Sequence, residues 1–95
     1  MINIKVSFLS LLADVIGKTE IPLVIDANST IKDVLSTLTL KFGSDFENVI
    51  LSTPDNLSKY VILGLNGKDI RTFDNLNTIL KEGDEISFLP AIAGG

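Results

Sequence analysis

The sequence predicts a single α+β domain in which one main helix lies over one face of a mixed sheet of about five strands. Residues 2–8 alternate apolar and polar side chains, and residues 60–65 form a strongly β-prone run, as strands do. Residues 31–42 instead repeat apolar side chains at helical spacing. A hairpin followed by a helix that crosses back can bring the last strand beside the first, which makes the sheet mixed.

The N-terminal part predicts two strands joined by a short helix. The first strand, residues 2–8, directs four apolar side chains to one face: Ile2, Ile4, Val6 and Phe8. Apolar residues at near-helical spacing in 10–16 favour one or two helical turns, and Gly17 suits a C-terminal stop. Residues 19–25 are the second strand. Because Pro22 has no N–H, we expect it to face an unpaired side of the sheet or a bulge.

The main helix is predicted to begin after Thr30, a good N-cap residue, with Asp33 three residues later where a carboxylate suits the positive helix end. Gly43 is expected to end it. One stripe of apolar residues should face the core: Ile31, Val34, Leu35, Leu38 and Phe42. Leu40 falls on the opposite side and is expected to contact the next segment or solvent.

The middle of the chain is the hardest part to interpret. Within residues 44–59 we expect one short helical turn, and residues 52–56 are turn material. Residues 60–65 then predict a strand, and Asn66-Gly67 directly after it is a strong hairpin signal. Ile70 is expected to begin a short return strand.

The C-terminal part predicts a tight turn at residues 81–84 and a last strand that contains Ile86 and Phe88. Regular pairing should stop at Pro90, because proline cannot donate to a ladder. We therefore divide the chain into a globular domain, residues 1–89, and a flexible C-terminal tail, residues 90–95.

Composition excludes several classes of function. The chain has no His and no Cys, so it holds no Cys/His zinc site, no Ser-His pair and no thiolate nucleophile. We expect no metal site. The net charge of −4 and the absence of a basic cluster argue against nucleic-acid binding. No apolar run is long enough to span a bilayer, so we expect no membrane contact and a cytoplasmic location.

The sequence resembles the ubiquitin-like sulfur-carrier family, particularly the small subunit of molybdopterin synthase (MoaD-like). The resemblance covers nearly the whole chain and includes residues 6–8, 29–35 and 65–67. It is tightest over residues 80–95, where a Gly-Asp-Glu turn, an apolar strand, a proline and a final Gly94-Gly95 follow one another. The resemblance implies a β-grasp (ubiquitin-like) fold.

The resemblance also implies the chemistry of the tail. The working group would be the carboxylate of Gly95, adenylated and then thiocarboxylated, with no catalysis by the chain's own side chains. The remaining tail residues would thread into a partner: Pro90, Ala91, Ile92, Ala93 and Gly94. Six extended residues reach roughly 20 Å, and glycine adopts backbone conformations closed to other residues.

The implied partners are an E1-like adenylyltransferase, a sulfur donor and the large catalytic subunit of molybdopterin synthase. No cofactor would be bound, and the activating enzyme would use ATP. The sequence departs from the MoaD-like pattern at residues 12–14, where family members often carry an Arg-Glu pair, and at Pro90-Ala91, where they carry two prolines. The pathway therefore stays open.

The sequence leaves two alternative functions open and also indicates one candidate partner surface. A ubiquitin-like protein modifier or tRNA-thiolation carrier would use the same carboxylate, whereas an interaction module would need no activation. For the partner surface, Ile62 and Leu89 are out of phase with the core residues of their strands and should point away from the helix, beside Ile92. Scattered surface apolar residues are the alternative explanation.

Overall fold

A computed structural model of the protein describes residues 1–53 and 56–91. Its main sheet has five strands in the order β2-β1-β7-β5-β6. These strands are β1 (Ile2–Phe8), β2 (Glu20–Ile25), β5 (Val61–Leu65), β6 (Lys68–Asp69) and β7 (Glu85–Pro90). The central pair, β1 and β7, is parallel, and the other pairs are antiparallel. The predicted α+β architecture with a mixed sheet is confirmed.

Strand β2 is an edge strand, and the position of Pro22 follows from that. Pro22 lies opposite Lys5 in the β1–β2 register. The N–H of Phe8 donates to Thr19 O over 2.8 Å, which marks this facing pair as hydrogen-bonded. Hydrogen-bonded and non-hydrogen-bonded pairs alternate along the ladder, so Lys5–Pro22, three positions away, is a non-hydrogen-bonded pair. The nitrogen of Pro22 therefore points to the free edge. The expectation that Pro22 faces an unpaired side is confirmed.

The predicted helices are also present. Helix α1 (Leu11–Ile16) ends at Gly17, which has a φ of 83°. Helix α2 (Ile31–Phe42) begins with a capping box: Asp33 N–H donates to the Thr30 hydroxyl, and Thr30 N–H donates to the Asp33 carboxylate. Four residues of the predicted stripe are buried in the core. Phe42 packs against that core, and Leu40 is exposed.

The segment after α2 is more ordered than expected. Helix α3 (Ser44–Ile50) has seven residues and is followed by a small two-stranded sheet, β3 (Leu51–Thr53) and β4 (Asn56–Leu57). Phe46 is fully buried and packs edge-on against Phe88 at 5.9 Å between ring centroids. Helix α3 therefore covers part of the sheet. Of the predicted turn at 52–56, residues 54–55 lie outside the described residues.

The Asn66-Gly67 hairpin is confirmed, but the return strand differs from the prediction. Both turn residues have positive φ, 53° and 85°, as a type I′ turn requires. The return strand is β6, and Ile70 begins a 3₁₀ turn, Ile70–Thr72, rather than a strand. This expectation was wrong because the Asp69 carboxylate accepts the Arg71 N–H over 2.9 Å and caps the turn.

Pro90 ends pairing on one side of β7 only. Leu9 N–H donates to Phe88 O over 3.0 Å. The next hydrogen bond between β7 and β1 would need an N–H from Pro90, which has none. On the β5 side Pro90 faces Val61 in a non-hydrogen-bonded pair, where no donor is needed. Ala91 N–H then donates to Tyr60 O over 2.7 Å. The expectation that pairing stops at Pro90 is right toward β1 and wrong toward β5.

No helix in the described part of the chain is long and apolar enough to cross a membrane. Residues 1–53 and 56–91 also contain no group of three or more acidic side chains placed to hold a metal ion.

Candidate functional site: the outer sheet face at the C-terminal exit

The chain leaves the domain from the middle of the sheet. Strand β7 lies between β1 and β5, and its last ladder bond joins Ala91 to Tyr60. Two of the predicted tail residues, Pro90 and Ala91, are therefore held against β5. The other predicted tail residues, Ile92, Ala93, Gly94 and Gly95, lie outside the described residues. Gly95 follows four residues after Ala91, which is fixed on the sheet by its hydrogen bond to Tyr60.

An apolar row crosses the outer face of the sheet beside this exit. Ile62 and Leu89 lie opposite each other in the β5–β7 register, on the face away from α2. The side chain of Ile62 is 37% exposed, and Leu89 is half-buried. The structure thus brings the two predicted surface residues together, as one contiguous pair rather than two scattered side chains.

Leu9 extends this row and was missed by the sequence analysis. It continues the parallel β1–β7 register one step beyond the Phe8–Phe88 pair, which places it beside Leu89. Its side chain is 41% exposed. The alternation of β1 puts position 9 on the outer face, but the parallel register that aligns Leu9 with Leu89 depends on two segments about 80 residues apart. We call Leu9, Leu89 and Ile62 the apolar row.

The outer face becomes polar away from the exit. Ser87 lies between Ser7 and Gly64 in the two registers, so the next positions carry small side chains. Beyond them, Lys5 forms ion pairs with Glu20 at 3.3 Å and with Glu85 at 3.7 Å. The hydrogen bond to Glu20 raises the pKa of Lys5 above its usual value.

Along the outer face of the sheet, the side chains change from apolar beside the exit to charged at the far side. A partner that docks beside the exit would meet apolar surface first and an ion-paired rim at the far side. That is the usual arrangement of a protein interface, with an apolar centre and a polar rim.

Comparison with known proteins now assigns the family. The model of the ThiS family matches residues 6–95 of this chain. The chain belongs to the ThiS family. Its members are ubiquitin-like sulfur carriers, which are not catalysts themselves.

Individual relatives agree with this family. A putative sulfur carrier protein of Archaeoglobus fulgidus is 35% identical over 72 residues, 75% of this chain and 81% of the relative. Small archaeal modifier protein 3 of Haloferax volcanii is 26% identical over 98% of this chain and 99% of its own. The solution structure of small archaeal modifier protein 1 from Methanosarcina acetivorans has a TM-score of 0.81 at 30% identity, covering 100% of this chain and 98% of its own.

The β-grasp fold is thereby confirmed, since the mixed sheet matches ubiquitin-like structures over its whole length. The chain leaves the described domain from the centre of the sheet, beside the apolar row.

Proposed function

We propose that this protein carries sulfur as a thiocarboxylate on the C-terminal residue Gly95. The observation that carries this proposal is the match of the ThiS family over residues 6–95, which runs through the Gly94-Gly95 pair. A chain without Cys can carry sulfur in this way because the carrier atom belongs to the main chain.

The proposed chemistry has two steps. First, an oxygen of the Gly95 carboxylate attacks the α-phosphate of ATP on an E1-like adenylyltransferase, and pyrophosphate leaves. Second, a sulfur donor at the oxidation level of sulfide attacks the acyl-adenylate and AMP leaves. The thiocarboxylate sulfur is then the nucleophile that reaches the acceptor. The chain's own contribution is to present the last residues without bulky side chains at positions 94 and 95.

The first candidate acceptor is the molybdopterin dithiolene, with this chain as the small subunit of molybdopterin synthase. The turn, strand, proline and diglycine of residues 83–95 support this candidate. Gly95 would enter the pocket of a larger catalytic subunit, and the apolar row beside the exit would contact that subunit.

The second candidate is a protein modifier or tRNA-thiolation carrier. The likeness to small archaeal modifier proteins, which spans nearly the whole chain, favours it. In this role the activated carboxyl of Gly95 would form an isopeptide bond with a lysine, or its thiocarboxylate would supply a tRNA thiolase.

The two candidates separate in cells of the source organism. Epitope-tagged chain is compared with a variant that lacks Gly94 and Gly95. Covalent ladders that vanish in the variant support the modifier, whereas one stable complex with a larger partner and no ladders supports the synthase subunit. If the variant sustains normal sulfur delivery and conjugation, the carrier proposal itself is overturned.

A further inference from the structure

The turn between β5 and β6 is tied to the start of β7 by one exposed residue, Asn66. Its side-chain Nδ2 donates to the Asp84 carboxylate over 2.9 Å, and its Oδ1 accepts the main-chain N–H of Glu85 over 2.9 Å. The main-chain N–H of Asn66 also donates to Glu85 O over 2.9 Å. Both ends of the side-chain amide are therefore used. An ionised carboxylate at position 66 could not make the first of these bonds, because it has no hydrogen to donate.

The chemistry of this amide is set by the residue that follows it, because Asn66-Gly67 is the one Asn-Gly pair in the chain. Glycine has no Cβ to shield its main-chain nitrogen. Once that nitrogen loses its proton to a base in solution, it can bond to Cγ of Asn66. The Cγ–Nδ2 bond then breaks and ammonia leaves. Water opens the resulting five-membered imide at either carbonyl, which leaves aspartate or its isomer linked through the side chain.

The folded turn opposes closure of this ring. Asn66 and Gly67 are held at φ values of 53° and 85° by the hairpin. Ring closure needs rotation about the Cα–Cβ and Cα–C bonds of Asn66, and this rotation gives up the bonds to Asp84 and Glu85. Asp84 is itself held, since its carboxylate accepts the Lys81 N–H over 2.8 Å. The reaction at Asn66 therefore has to wait until the hairpin opens locally.

We propose that Asn66 is a deamidation site that the fold protects, and that its conversion releases the β5–β6 turn from β7. The new carboxylate would lie beside that of Asp84, where like charges repel. The side-chain-linked isomer would also lengthen the main chain of a two-residue turn, between the paired Leu65 and Lys68. The modification is independent of the proposed function, but it acts on the strand that leads to the exit at Ala91.

The first test compares deamidation of the full chain in native buffer and in urea that unfolds it, at one pH and temperature. Digestion after lysine yields residues 60–68, which contain Asn66, and mass spectrometry measures the conversion. In urea, Asn66 should convert faster than every other asparagine. Folding should slow it about tenfold or more, because two hydrogen bonds must be given up. A synthetic peptide of residues 60–68, in both buffers, is the control for the effect of urea itself.

The second test removes the partner of the amide. Asp84→Ala takes away the acceptor of Nδ2 and should speed conversion of Asn66 in the folded chain about tenfold. Glu82→Ala is the matched control, because it removes a carboxylate from the same turn whose bond is to the main-chain N–H of Asn3, over 3.1 Å. A urea titration of each variant checks that it is folded during the incubation.

The third test measures the consequence. Asn66→Asp carries the product side chain and should lower the folded-to-unfolded ratio about tenfold, since it loses a hydrogen bond and gains a like-charge contact. Asn28→Asp is the matched control. It makes the same chemical change at another exposed residue with positive φ, 70°. Urea titration of the two variants compares them.

Each part of the proposal has its own contrary result. Equal rates at Asn66 in the folded and unfolded chain would overturn the protection, and so would equal rates in Asp84→Ala and Glu82→Ala. Faster conversion of another asparagine in the unfolded chain would remove the site. Equal stabilities of Asn66→Asp and Asn28→Asp would overturn the release of the turn. None of these results bears on sulfur loading.

Discussion

Ala91 donates its main-chain N–H to the carbonyl oxygen of Tyr60 over 2.7 Å, one residue beyond a proline that cannot donate at all. This bond fixes the exit of the chain beside β5 and close to the apolar row. Residues 92–95 thus start from a defined point on the sheet and not from a long free linker. In the proposed function, partner docking and delivery of Gly95 are coupled through that point.

The apolar row should be the centre of the partner interface. We expect Ile62→Glu to weaken binding of the activating enzyme at least tenfold, since a charge buried at the centre of an interface is costly. Val24→Glu is the matched control, because Val24 is an exposed apolar residue on the outer face of the edge strand. Titration calorimetry with the purified enzyme measures both. Equal affinities for the two variants would remove the row from the interface.

Leu9 tests the part of the row that the sequence analysis missed. Leu9→Glu should weaken the same complex in the same direction as Ile62→Glu, because Leu9 lies next to Leu89 in the register. Its side chain is already 41% exposed, so the free domain should keep its stability within about 0.5 kcal/mol. If Leu9→Glu leaves the affinity unchanged while Ile62→Glu lowers it, the interface does not extend beyond β7 to Leu9.

Ser10 has backbone angles that favour glycine. Its φ is 56° and its ψ is −132°, and its side chain makes no capping hydrogen bond to α1. Ser10→Gly should raise the free energy of unfolding by about 1 kcal/mol, because glycine adopts this conformation without strain. Ser36→Gly, in the exposed interior of α2, should lower it by about 0.5 kcal/mol. Urea titrations measure both changes. If the two variants shift the unfolding midpoint in the same direction, the assignment of backbone strain to Ser10 is refuted.

Phe46 should be a major contributor to stability. It is fully buried, and its ring lies 6.3 Å from Phe42 and 5.9 Å from Phe88. Phe46→Ala should cost about 3–5 kcal/mol of unfolding free energy by leaving a cavity. Leu40→Ala, at an 88% exposed position, should change it by less than about 0.5 kcal/mol. A small effect of Phe46→Ala would mean that α3 is not part of the core.

The Asp69–Arg71 pair predicts a pH dependence at the acid end. Hydrogen bonds from Arg71 hold the pKa of the Asp69 carboxyl below its usual value of 3.8. Since the folded pKa lies below the unfolded one, the pair stabilises the fold above about that pH and loses this effect as the pH falls through the folded pKa. Carboxyl NMR titration should show the pKa of Asp69 returning toward 3.8 in Arg71→Gln. An unchanged pKa would contradict the assigned cause.

Local signals in the sequence predicted most of the fold. Thr30 and Asp33 identify the start of α2, and Asn66-Gly67 identifies a hairpin, because each depends on only a few neighbouring residues. The return strand at Ile70 was wrong because the carboxylate of Asp69 caps a turn that competes with pairing. Helix α3 was underestimated because Phe46 owes its burial to packing against distant residues.

The sequence likewise predicted only part of the candidate site. Strand alternation predicted that Ile62 and Leu89 share the outer face, and the register confirms that they face each other. Leu9 was not predictable in this way. Its place in the apolar row depends on which strands are neighbours, and this is a property of the assembled sheet.

The most direct test of the central claim is the mass of the C-terminal proteolytic peptide after incubation with ATP, an E1-like adenylyltransferase and sulfide. Our account predicts an ATP-dependent replacement of one oxygen by one sulfur, confined to Gly95 and absent when Gly95 is deleted. A peptide of unchanged mass under conditions that load a known sulfur carrier, or sulfur found elsewhere in the chain, would contradict it.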